Sequence, residues 1–349
     1  MRSDRLIRKS HFRRLNARDC GPESDLIDLS KPDTAWTLSE LRAGAARTSP
    51  ETVQEEPSGF RTEFDILLWA ARMIDHSPTA RALCADADSN GWSIGLTDLN
   101  NEGFYIDSDA RTIYLDHFQL LPDALGRSAY FRNIVLTTFI RSLRDVWHDE
   151  RLQDSFSLYA PEQLLMQERI RAADCDTAAI LCGWELRGAG FAEVWRHLLG
   201  SEEGDMAIIF TRFLERDPGS LFSGAALAYA FRQWYADTSR VDGVDHDTLE
   251  MMDDMMMDHE GINPFGTGRI NASDIEKMTR LPDGSVYLSG LGDGVLRDPF
   301  FAGLNDPVNQ THLFHLMYDL EVVMVNNVPF RDSKLARKIF PQADMVRIR

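Results

Sequence analysis

Residues 139–150 read FIRSLRDVWHDE, and the fold turns on how this stretch is read. Leu136, Phe139, Ile140, Leu143, Val146 and Trp147 recur at steps of three and four, which predicts a helix with one buried stripe. Ile134, Thr137, Thr138, Arg141, Asp145 and His148 fall on the opposite side. Ile134 and the two threonines predict that this side is partly covered too. Arg141 and Asp145 stand at i and i+4, so their side chains can meet.

Upstream, WSIGLTD (92–98), GFYID (103–107) and TIYLDH (112–117) read as short strands, with the turn chemistry of NNEG and SDAR between them. They predict a small antiparallel meander. Order is expected from about Thr62, where EFDILLWAARMI opens a helix, and Ser77-Pro78 starts another. Downstream, the chain reads as helical from Ser128 to Asp258. Long helices are predicted near 128–153 and 160–187, with Gly188 ending the second, and shorter ones near 190–199, 203–215, 223–237 and 247–257. A last unit holds a helix from Ser273 to about Thr279, a hairpin-like PDGSVYLSG, and a helix near 308–325. In that final helix Leu313, Leu316, Met317, Leu320 and Val323 form a stripe that must be buried somewhere. The expected fold class is α+β and mostly helical.

The second long helix carries Met166, Ile170, Leu181 and Trp184 on one stripe, which Asp174 and Thr177 complete. An aspartate in an apolar stripe is expected to be buried, and a buried carboxylate requires a cation or several donors.

Charge narrows the partners. The formal charge is −18 at pH 7. Residues 1–20 carry seven Arg/Lys against Asp4 and Asp19, and residues 331–349 carry six against two, which leaves about −27 for the body. Such a body repels phosphate backbones, so nucleic-acid binding by the core is not expected. No apolar run approaches the ~18 residues of a membrane span, and the N-terminus shows no apolar signal-peptide core. Cys175 and Cys182 lie seven apart on one predicted helix, about 10.5 Å along its axis, too far for a disulfide. Cys20, Cys84, Cys175 and Cys182 form no CxxC pair, and a reduced, cytoplasmic protein is expected.

The order of small sheet, long helix, turn and second long helix with an inward acid resembles the zincin-type metallopeptidase core. YFRNIVLTTFIRSLRDVWHDE, ERIRAADCDTAAILCGWELRG, VWRHLLGSEEGDMA and LAYAFRQWYADTSRVDGVDHDTLEMMDD resemble a bacterial family of unknown function described as a putative metallopeptidase domain. The resemblance spans about residues 62–325. It implies a zincin-like core over 59–200 and a helical extension over 201–325. These are flanked by a disordered N-terminal tail and linker, 1–58, and a basic C-terminal tail, 326–349.

In zincins the first helix reads HExxH, with two zinc-binding histidines and a water-activating glutamate. The resemblance puts Arg141 at the first ligand position, Ser142 at the catalytic glutamate and Asp145 at the second ligand, with Asp174 as the third, acidic ligand. A guanidinium cannot ligate zinc. The resemblance therefore implies a degenerate, non-catalytic member without a cofactor that acts by binding an unknown protein or peptide. Arg141 is expected to stand in for the metal and bridge Asp145 and Asp174. The opposing expectation is an active zinc-dependent hydrolase built from Asp145, His148, Asp174 and His312 or His315. A third is a helical interaction module.

His312, His315 and Asp319 share a helix face and are expected to be solvated or structural. The methionines of MMDDMMMDHEG (251–261) read as core. SGLGDG (289–294) reads as a flexible turn with no helix after it.

Overall fold

The computed structural model describes residues 35–47, 60–152, 155–258, 263–302 and 306–321, with the short segments 8–9, 323–325, 328–330, 338–339 and 345–347. The first part comprises β1 (Arg8–Lys9), β2 (Trp36–Thr37), α1 (Leu38–Ala46), α2 (Glu63–Ile74), α3 (Pro78–Ser89), β3 (Ser93–Thr97), β4 (Phe104–Asp107) and β5 (Thr112–Asp116). Then α4 (Pro122–Arg127) leads into the long α5 (Ala129–Asp149), and α6 (Ser155–Leu158) into the longer α7 (Pro161–Gly188). Shorter helices follow: α8 (Ala192–Leu199), α9 (Gly204–Arg216), α10 (Ala225–Trp234), α11 (Thr238–Asp258), α12 (Ala272–Met278), α13 (Gly292–Arg297), α14 (Pro299–Ala302) and α15 (Pro307–Glu321). Three short strands, β6 (Val323–Val325), β7 (Val328–Phe330) and β8 (Met345–Arg347), come last. The fold is α+β and mostly helical, as the periodicity predicts.

The three central strands form where alternation and turn residues put them, but they are not a meander. The sheet order is β1-β4-β5-β3-β2, with β3 parallel to β5 and the other pairs antiparallel. The expected antiparallel sheet is therefore mixed. The chain leaves β3 through left-handed Asn100 and Asn101 (φ 54° and 67°), and β5 inserts between β3 and β4. Asparagine tolerates that backbone region at low cost.

Two further expectations need correction. The stretch read as linker contains β2 and α1, whose Leu38 and Leu41 are fully buried. Thr37 caps α1 by accepting from the Glu40 amide at 3.2 Å, while the Glu40 side chain accepts from the Thr37 amide at 3.0 Å. Most of the rest of residues 1–58 lies outside the described residues. The stretch read as a basic tail contributes β7 and β8, which flank β6 in a three-stranded antiparallel sheet. In α15, Leu313 and Leu316 are buried and Met317 is half exposed. The side chain of Leu320 and that of Val323 lie outside the described residues.

Two apolar cores meet along α5 and α7. The first is built by α1, α2, α3, the sheet and one face of α5, including Val135, Phe139, Ile140, Leu143 and Val146. The second gathers α7 to α10 with α12, α13 and α14 around Ile170, Phe210, Phe231 and Trp234. α7 serves both: Ala179, Cys182 and Leu186 face the first core, and Ile170, Ala173 and Leu181 the second. A third cluster joins its N-terminal Leu164 and Leu165 to α11 and α15.

Candidate functional site: a buried ion-pair seam

The covered polar face of α5 comes from its own sequence. Ser128 caps the helix, accepting from the Phe131 amide at 3.4 Å. With one stripe committed to the first core, Arg141, Arg144, Asp145 and His148 turn toward α7 and its neighbours. Helix α7 begins at Pro161, where a missing amide costs nothing. Between Glu168 and Asp176 its charges alternate with apolar residues, so no face is left for water.

Asp174 is the centre of this seam and is fully buried. Its Oδ2 accepts from Arg144 Nε at 2.5 Å and lies 2.8 Å from His148 Nε2, and its Oδ1 accepts from the Tyr287 hydroxyl at 2.6 Å. Arg144 also donates to the Met278 carbonyl at 2.9 Å. Burial alone would raise the Asp174 pKa. The Arg144 guanidinium and the His148 ring outweigh it and hold the carboxyl at about 2. Burial pushes the His148 pKa down despite its bond to Asp174, with Arg144 and Arg171 nearby adding to the effect. A neutral His148 donates from Nε2 to Asp174, which fixes its tautomer. Burial pushes the Tyr287 hydroxyl well up.

Tyr287 reaches this centre because Gly224 lets its backbone in. Gly224 has φ +78°, and a Cβ there would lie 2.7 Å from the Tyr287 Cα.

Three more buried arginines are clamped beside it. Arg141 places Nε 2.6 Å from Asp176 Oδ1 and Nη2 2.6 Å from Glu203 Oε1. Asp176 also accepts from Trp234 Nε1 at 2.9 Å. Burial raises the Asp176 pKa, whereas at Glu203 burial is outweighed by Arg141 together with the Ser201 hydroxyl and Arg240, and the pKa falls. Arg171 pairs with Asp145 and, at 2.8 Å, with Asp149. Arg169 pairs with Asp245, which also accepts from Asn309 Nδ2 at 2.7 Å.

Arg141, Ser142, Asp145, His148 and Asp174 thus lie in or beside the seam, but with other partners, whereas His312 and His315 lie apart from it. Arg141 binds Asp176 and Glu203, not Asp145 and Asp174; the guanidinium on Asp174 is that of Arg144, three residues nearer His148, which bridges to the Met278 carbonyl and not to a second carboxylate. Asp145 meets Arg171 across the helices instead of Arg141 along its own. Ser142 is fully buried and donates to the Phe139 carbonyl at 2.8 Å, so it faces its own backbone. His148 is buried and lies 2.8 Å from Asp174. His312 lies 3.1 Å from Asp253 and His315 is exposed; the Asp319 side chain lies outside the described residues. SGLGDG does run into a short helix, α13, which starts at Gly292.

Arg144, Arg171, Asp176, Glu203 and Tyr287 were not singled out from sequence. A signal existed for the helical ones. A long helix whose charges follow no face is buried all round, and each charge then needs a partner.

Zinc chemistry does not fit the positions the zincin layout would use. Arg141 has no lone pair to give, Ser142 is turned to a carbonyl, and Asp145 is held by a guanidinium. Among the described residues, no group of three or more His, Cys, Asp or Glu is placed to hold a metal ion. Among them too, no helix is long and apolar enough to cross a membrane.

Residues 128–289 match the model of a family described as "Putative metallopeptidase family". The matched span runs from the cap of α5 to the loop that carries Tyr287. It contains Asp174 and all the partners found for it, and leaves the sheet outside. No curated protein and no solved structure matches the chain.

Proposed function

We propose that this chain is a degenerate, non-catalytic member of the metallopeptidase-like family that acts by binding a protein or peptide. One observation carries the reading: the residues at HExxH spacing are already spent. Arg141 is held by two carboxylates, Ser142 by a backbone carbonyl and Asp145 by Arg171. On this reading Arg141, Asp145 and Asp174, with His148 beside them, are the remains of a metal site. Fixed guanidinium charges take the cation's place in joining the two helices. A second reading, a hydrolase using Asp145, His148 and Asp174, draws on the 2.8 Å contact of His148 with Asp174, the geometry of a base and its orienting acid. Against it, Asp174, His148 and Tyr287 are all buried away from solvent.

Elemental analysis of purified protein, alongside a peptidase assay with added zinc, separates the two. The binding reading expects zinc well below one equivalent and no zinc-dependent cleavage. Stoichiometric zinc with cleavage abolished by Asp174→Asn would overturn it.

A further inference from the structure

We draw no further inference here: the strongest candidate, the aromatic surface patch where Phe213 of α9 stacks on the half-exposed Tyr229 of α10 with ring centroids 3.7 Å apart, carries nothing because nothing in the structure shows what covers it.

Discussion

Helices α7 and α11 both place carboxylates beside apolar side chains, and they use them in opposite ways. On α7, Asp174 is sealed in and Asp176 largely covered, each against a guanidinium from α5. On α11, Asp242, Glu250 and Asp254 look outward, with only histidine among them. The difference is the arginine supply. Arg141 and Arg144 are spaced to meet α7, whereas α11 and α15 bring only Arg240, which is committed elsewhere. Inside, a charge is tolerated only with its partner, and that demand fixes which residues of two helices face each other. Outside, in water, such acids cost little, and Glu250 has His246 beside it, at 3.3 Å.

The largest effect that would break this comparison is the loss of one inner guanidinium. Arg144→Ala leaves Asp174 buried without its cation and should cost on the order of 3–5 kcal/mol in urea denaturation. The double variant Arg144→Met, Asp174→Leu should regain most of that loss, because two apolar side chains remove the buried charge altogether. A double variant as unstable as Arg144→Ala would show that packing, not charge, is what the arginine supplies.

The pH dependence of the seam comes next in size. The folded His148 holds its proton less readily than an ordinary ring at pKa 6.5. Its contribution is complete above about pH 6.5, and stability falls below that as the unfolded state binds the proton first. Asp174 behaves alike at lower pH: its contribution is present above its ordinary 3.8 and is lost as pH falls toward about 2. Urea midpoints measured from pH 8 to 5 should decline for the natural protein and stay flatter for His148→Gln. Equal slopes would mean that His148 is not the group titrating.

A smaller effect is expected at Gly224, where alanine would press on the Tyr287 backbone. It should cost about 1–3 kcal/mol. Tyr287→Phe gives the reference for the hydroxyl alone, about 1–2 kcal/mol for one hydrogen bond to a charged group. The smallest belongs to the outer face: Asp254→Ala should fall within about 0.5 kcal/mol of the natural protein. A cost as large as that of Arg144→Ala would erase the distinction between the two helices.

Most of the architecture was legible because it is local. Alternation in SIGLT, FYID and TIYLD gave the strands, and Pro78 and Gly188 marked helix ends. The order of the strands was not, since β5 inserts between β3 and β4 through contacts distant in sequence. Helix α1 carried a readable signal in Thr37 and Glu40, hidden by the polar composition around it. At the site, the burial of Asp174 followed from its place in an apolar stripe, and so did its need for a cation. Which arginine supplies that cation did not: Arg141 and Arg144 are less than a turn apart, and a rotation of α5 decides between them. Tyr287 was out of reach of sequence reasoning, because it arrives from a loop 113 residues away.

The pairing of Arg144 with Asp174 is the centre of this account, and a double-mutant cycle measures it directly. Urea denaturation of Arg144→Met, Asp174→Leu and the double variant should give a coupling energy of at least about 2 kcal/mol. The corresponding cycle between Arg141 and Asp174 should give less than about 0.5 kcal/mol. The reverse result, weak coupling to Arg144 and strong coupling to Arg141, would contradict the seam described for α5 and α7.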